Sequence, residues 1–194
     1  MSLRGTPYVY QGDEIGMTNV AHSSIECYDD VETRNAWKAA EAAGKDMNKF
    51  LKAVHWQSRD NARTPMQWNA SENAGFTTGK PWIPVNKNFT TINVETAEKE
   101  ANSILHYYRK MIAFRKANPT MVYGDFEDLL PKHPQLYCYR RWDKEANFLL
   151  VHNFSDTPTS WEKPSGNYES VLGNYSNEKQ TLLAPCESRI YRSV

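Results

Sequence analysis

The sequence predicts an α+β chain in two parts, a mixed α/β piece over residues 1–118 and an all-β antiparallel sandwich over residues 119–194. Three observations carry this. Residues 103–117 place Ile104, Leu105, Tyr108, Met111, Ile112 and Phe114 three or four apart, the stripe of a helix that buries one face. After Pro119 the pattern changes to short alternating runs separated by turn residues such as Ser155-Asp156-Thr157-Pro158 and Pro164-Ser165-Gly166-Asn167, the spacing of an antiparallel sandwich. Ahead of the helix, one buried strand is expected at residues 6–11, and one strand with one long helix cannot complete a layered α/β fold. The first part therefore reads as the last strand–helix unit of a larger (β/α)8 barrel.

In chain order, residues 6–11 are β-branched and aromatic, and the loop Gly12-Asp13-Glu14-Ile15-Gly16 follows. Residues 31–43 are rich in Ala, Lys and Glu and stop at Gly44, a natural residue just past a helix end. Residues 45–55 carry Met47, Phe50, Leu51 and Val54 at helical spacing. Residues 69–93 show little periodicity, and 73–84 are punctuated by Gly and Pro; so long an irregular stretch is usually functional. Asn102 or Ser103 caps the main helix, and Arg109, Lys110, Arg115 and Lys116 set positive charge towards its C-terminal end, where the dipole favours it. Strands are expected at 121–127, 136–142, 148–153, 159–162, 169–172, 181–183 and 189–192.

Composition excludes several classes. With 23 basic and 23 acidic residues in 194, the chain has no electrostatic footprint for nucleic acid or an anionic membrane. No apolar run approaches the roughly 20 residues of a membrane span. Cys27, Cys138 and Cys186 are too few and too scattered for a disulfide framework or a metal cluster, and no pair among His22, His55, His106, His133 and His152 has ligand spacing. No cofactor or metal is expected.

The run Ser58-Arg59-Asp60-Asn61-Ala62-Arg63-Thr64-Pro65-Met66-Gln67-Trp68 is poor core material and a poor regular element. It reads as a loop presenting fixed donors to something small and hydroxyl-rich. Competing structural readings are that Arg59 anchors the loop by a salt bridge, that Arg63 bonds loop carbonyls or Glu14, and that Asp60 and Asn61 make local Asx turns. Gln67 and Trp68 are expected to pack under the loop, and Trp82 in a core.

Several stretches then resemble one family. Gly5-Thr6-Pro7-Tyr8-Val9-Tyr10-Gln11-Gly12-Asp13-Glu14-Ile15-Gly16-Met17-Thr18-Asn19 is similar to the eighth barrel strand and following loop of family 13 glycoside hydrolases, in the α-glucosidase and oligo-1,6-glucosidase branch. Tyr28-Asp29-Asp30-Val31-Glu32-Thr33-Arg34-Asn35, the arginine loop, Asn73-Ala74-Gly75-Phe76 and Lys80-Pro81-Trp82 resemble the same branch, in the same order. The resemblance implies a retaining hydrolase of α-linked glucose oligomers, in which Arg59 contacts the non-reducing glucose and Arg63 and Glu14 are further substrate-binding candidates. Retention uses two carboxyl groups. In the family these come from the fourth and fifth strands, which on this reading lie upstream of Gly5. Asp13-Glu14 and Asp29-Asp30 are poor substitutes, because neighbours in extended backbone point to opposite faces. The chain alone is thus expected to have no catalytic residue and no activity. Its expected partners are an oligosaccharide in the whole enzyme, the missing barrel, and another copy of itself through the exposed barrel remnant. The alternative is a non-catalytic carbohydrate-binding or scaffolding module, which needs an exposed aromatic platform on the β part.

Overall fold

The structure, a computed structural model, describes residues 1–176 and 181–194. They form two compact units, one of Val9–His106 and one joining Met1–Tyr8 to Tyr107–Val194.

In the first unit, helices α1 (Val31–Ala42) and α2 (Met47–Gln57) follow one another. The Asp30 side chain caps α1 by accepting from the Thr33 N–H. The helix ends as expected at Gly44, whose φ of 65° lets the Gly44 and Lys45 N–H groups turn back onto the carbonyls of Glu41 and Ala40. Helix α2 starts two residues later than its periodicity suggests because Asp46 caps it, accepting from the N–H groups of Asn48 and Lys49. Residues 58–93 carry only short 3-10 turns, and helix α3 (Val94–Lys99) begins at the buried cap Asn93. Two small apolar clusters hold this unit: Val20, Tyr28 and Val54, and Ile15, Met66 and Ala97.

Helix α4 (Ile104–Ala117) matches the main stripe, and a short α5 (Thr120–Tyr123) follows. Among the described residues seven strands come next: β1 (Asp125–Asp128), β2 (Leu136–Trp142), β3 (Asn147–Asn153), β4 (Thr159–Ser160), β5 (Tyr168–Gly173), β6 (Leu182–Leu183) and β7 (Ser188–Ser193). Five form an antiparallel sheet in the order β1-β2-β3-β7-β5, while β4 and β6 pair as a ribbon. Strand alternation sends Leu149 and Val151 to one face, against Trp161 and Leu183, and Phe148 and Leu150 to the other, against Met111 and Met121. Phe114 meets Phe148 edge to face, centroids 5.5 Å apart. The expected sandwich is therefore one sheet with a ribbon on one face and a helix on the other.

Four expectations are corrected. Residues 6–11 form no strand and are exposed, Tyr8 to 92%. A strand needs a neighbour's N–H and C=O groups, and among the described residues no strand pairs with residues 6–11. Residues 121–123 belong to α5, because Pro119 sets a helical φ of −53° and the turn closes at Gly124, where a Cβ would lie 2.5 Å from the Thr120 carbonyl. Trp82 is 70% exposed, outside any core, and Trp68 is exposed while Gln67 beside it is fully buried.

One buried polar chain has a pH consequence. His152 Nδ1 lies 2.8 Å from Ser188 Oγ and its Nε2 lies 3.2 Å from the Tyr139 hydroxyl, which in turn meets Ser2 Oγ at 2.7 Å. Burial lowers the His152 pKa to about 4. The folded form thus resists a proton that the unfolded chain accepts from pH 6.5 downward. Stability present above pH 6.5 should fall as pH drops towards about 4, by on the order of 3 kcal/mol. Urea unfolding at stepped pH checks this, and His152→Gln should flatten the slope.

Candidate functional site

The arginine loop is built on the end of α2. Ser58 closes that helix, its N–H bonding the Val54 carbonyl, and its hydroxyl then caps the next turn by accepting from the Asp60 N–H. Arg59 is thrown outward by this turn. Its Nη2 lies 2.8 Å from Glu32 Oε2 on the first turn of α1, and both side chains are mostly exposed. Asp60 goes the other way and is fully buried. Its Oδ2 accepts from the backbone N–H groups of Asp29 (2.6 Å) and Asp30 (3.0 Å), while Arg63 Nη1 stands 3.6 Å from its Oδ1. Asn61 bridges further out, accepting from the Val20 N–H and donating to the His55 carbonyl. The Tyr10 hydroxyl donates to the Ala62 carbonyl at 2.6 Å. Gln67 anchors the exit by donating to Asn88 Oδ1 and to the Ile92 carbonyl.

Two clefts flank Ser58, which lines both. One, of about 220 Å³, is walled by Tyr10, Asp13, Asn19, Trp56, Asn61 and Thr64. The other, of about 210 Å³, is walled by Asp30, Glu32, Phe50, Gln57 and Arg59. The three residues expected to bind substrate are not gathered in one place. Arg59 lines the second cleft; Arg63 turns onto Asp60; Glu14 Oε2 accepts from the Gly12 N–H at 2.8 Å, folded back on its own loop.

The electrostatics favour fixed charges. Burial alone would raise the Asp30 carboxyl, but the hydroxyl and N–H of Thr33 and the nearby Arg59 charge outweigh it and hold the pKa below its usual value. Burial and the Lys87 charge lower the His22 pKa. The acidic pairs are already engaged: Asp13 accepts from the Tyr10 N–H, Asp29 pairs with Arg34 at 2.8 Å, and Asp30 caps α1.

Sequence reasoning missed Asp60 as the anchor, Glu32 as the partner of Arg59, and Trp56 as an exposed cleft wall. Asx-turn statistics describe local bonds, and those of Asp60 span about thirty residues. Trp56 falls off the Met47, Phe50, Leu51, Val54 stripe, and that signal was available.

A family model for the catalytic domain of α-amylases matches residues 1–124. The chain belongs to the α-amylase family. Among this family's members, an oligo-1,6-glucosidase of Heyndrickxia coagulans is 45% identical over 192 residues, covering 97% of this chain and 34% of that protein. The trehalose-6-phosphate hydrolase of Escherichia coli strain K12 is 43% identical over 186 residues, with 95% of this chain and 33% of that protein covered. A crystal structure of Bacillus licheniformis trehalose-6-phosphate hydrolase superposes with a TM-score of 0.94 at 35% identity, covering 98% of this chain and 36% of that one. The chain thus spans about a third of the length of these α-amylase-family relatives. The matched region includes the whole arginine loop, Glu32 and the residues that line both clefts.

Proposed function

We propose that this chain is the C-terminal part of a retaining α-glucosidase of the oligo-1,6-glucosidase kind, hydrolysing α-glucosidic bonds of small glucose oligosaccharides. Residues 1–118 supply barrel-derived loops and residues 119–194 a β cap. The observation that carries the reading is the exposed Arg59–Glu32 pair at 2.8 Å, set at the rim of a cleft on a loop that Asp60 and Asn61 tie down. A planar guanidinium offers five donors, so one edge can hold Glu32 while another donates to sugar hydroxyls. Arg63 and Glu14 complete the binding set only if substrate or the rest of the barrel draws them from their present partners.

A retaining mechanism needs a nucleophile and an acid/base carboxyl about 5–5.5 Å apart. The acidic pairs Asp13–Glu14 and Asp29–Asp30 are committed to backbone and to Arg34. The catalytic carboxyls then come from the remainder of the barrel. The purified chain should not turn over p-nitrophenyl-α-glucoside or isomaltose; hydrolysis that co-purifies with it would sink this view. When the chain is assembled with its barrel half, Arg59→Ala should lower kcat/KM about a hundredfold, corresponding to roughly 2–3 kcal/mol for a charged hydrogen bond. Arg59→Lys should recover only part of that. Parallel assays on isomaltose, maltose, sucrose and trehalose 6-phosphate would fix the substrate.

The exposed Tyr8, Val9 and Tyr10 support a role as a docking strand for the missing barrel or for another copy. A monodisperse monomer in light scattering would count against pairing with another copy.

A further inference from the structure

Two anchors hold the arginine loop in the first unit, and His22 joins them. Asp60 accepts from the N–H groups of Asp29 and Asp30, which directly follow Tyr28. Asn61 donates to the His55 carbonyl near the end of α2, at 3.0 Å. The His22 N–H donates to the Tyr28 hydroxyl at 3.3 Å, and its ring meets the buried Tyr28 ring edge to face, centroids 5.2 Å apart. From the other side, His55 Nε2 donates to the His22 carbonyl at 2.9 Å. We propose that His22 is a proton-operated catch on the arginine loop: when its ring takes a proton it leaves Tyr28, and both anchors loosen.

The neutral ring suits this place and the charged ring does not. His22 Nε2 is buried and has no hydrogen-bond partner among the described residues. An imidazolium carries a donor on both nitrogens, so a proton taken up in place would set a charged N–H at that atom with nothing to accept it. The groups around the ring are Tyr28, Lys87, Asp60 and His55, and they do not repair this. Lys87 and His55 oppose a positive charge. Asp60 favours one, but it already accepts from two N–H groups and faces Arg63 at 3.6 Å. Burial first, and the Lys87 charge after it, therefore hold the His22 pKa below the usual 6.5.

A ring released to solvent regains its ordinary affinity for protons. The closed loop is thus fully favoured above pH 6.5 and loses ground as pH falls towards the depressed value. Over that interval each pH unit favours the open, protonated form by about tenfold. The catch itself does not depend on what the enzyme hydrolyses. Its consequence, a weaker hold of Arg59 on sugar in acid, rests on the glucosidase reading above.

The test follows amide hydrogen exchange in the full 194-residue chain by NMR, from about pH 7.5 to about pH 5.5, corrected for the intrinsic effect of pH on exchange. Protection of Asp29, Asp30 and Asn61 should fall together, by about tenfold, and in step with the His22 ring resonance. His22→Phe keeps an edge on Tyr28 and removes the proton, so it should keep that protection without a fall. If the larger ring disturbs packing, seen as protection already lost at about pH 7.5, His22→Gln gives the same comparison. If neither variant packs, the wild-type midpoint decides alone, by following the His22 ring or the His55 ring. No fall in the wild type, an equal fall in a well-packed variant, or a midpoint that follows His55 would each overturn the catch. Hydrolysis by the assembled enzyme judges the glucosidase reading separately, so the two can fail independently.

Discussion

Arg141→Ala should destabilise the sheet-bearing unit more than any other single change, by about 4–5 kcal/mol, because a buried charged donor is removed and its acceptors are left dry. The side chain is fully buried in β2. Its Nε donates to the Asp125 carbonyl, Nη1 to those of Ser2 and Met121, and Nη2 to those of Thr120 and Gly124, all at 3.0–3.1 Å. One guanidinium thus closes α5, the turn into β1 and the start of the chain. A loss of this size is a large share of the roughly 5–15 kcal/mol that holds a domain folded. Arg141→Lys keeps the charge but not the fork, and should recover less than half. Urea unfolding followed by tryptophan fluorescence measures both. A loss below about 1 kcal/mol for the alanine variant would mean that water replaces the guanidinium at these carbonyls.

The second large effect is expected at Asp60. Asp60→Ala should cost about 3 kcal/mol, since two backbone N–H groups lose a charged acceptor inside the protein. The damage should concentrate in the first unit, where Asp60 ties the arginine loop to residues 29 and 30. Asp60→Asn keeps one carbonyl oxygen for those N–H groups but places an amide near Arg63, so an intermediate loss is expected. Hydrogen exchange separates the two variants: in Asp60→Ala the amides of Asp29 and Asp30 should lose protection, while the central strand β3 keeps it. Uniform loss across both units would contradict the local role.

The elements that sequence disclosed best are those whose partners lie within the chain. Helix α4 and strands β2, β3 and β7 were legible because their apolar periods match the faces they bury on one another. Residues 6–11 show the opposite case. Their β-branched and aromatic composition is that of a buried strand, yet pairing is a property of two strands, and composition does not reveal whether the second is present. At the candidate site, Arg59 and the loop around it were legible from residue type. The fixed point beneath them was not, because the bonds of Asp60 reach backbone groups far away in sequence, and no side-chain pattern marks those.

The first five residues are clamped. Arg115 donates to the carbonyls of Met1, Leu3 and Gly5, and Arg141 to that of Ser2. An endopeptidase must draw its substrate peptide, extended, into a cleft, and here residues 1–5 are released only when both arginines let go. Cleavage within residues 1–5 therefore becomes a clock for the opening of the sheet-bearing unit, readable by mass spectrometry without any denaturant.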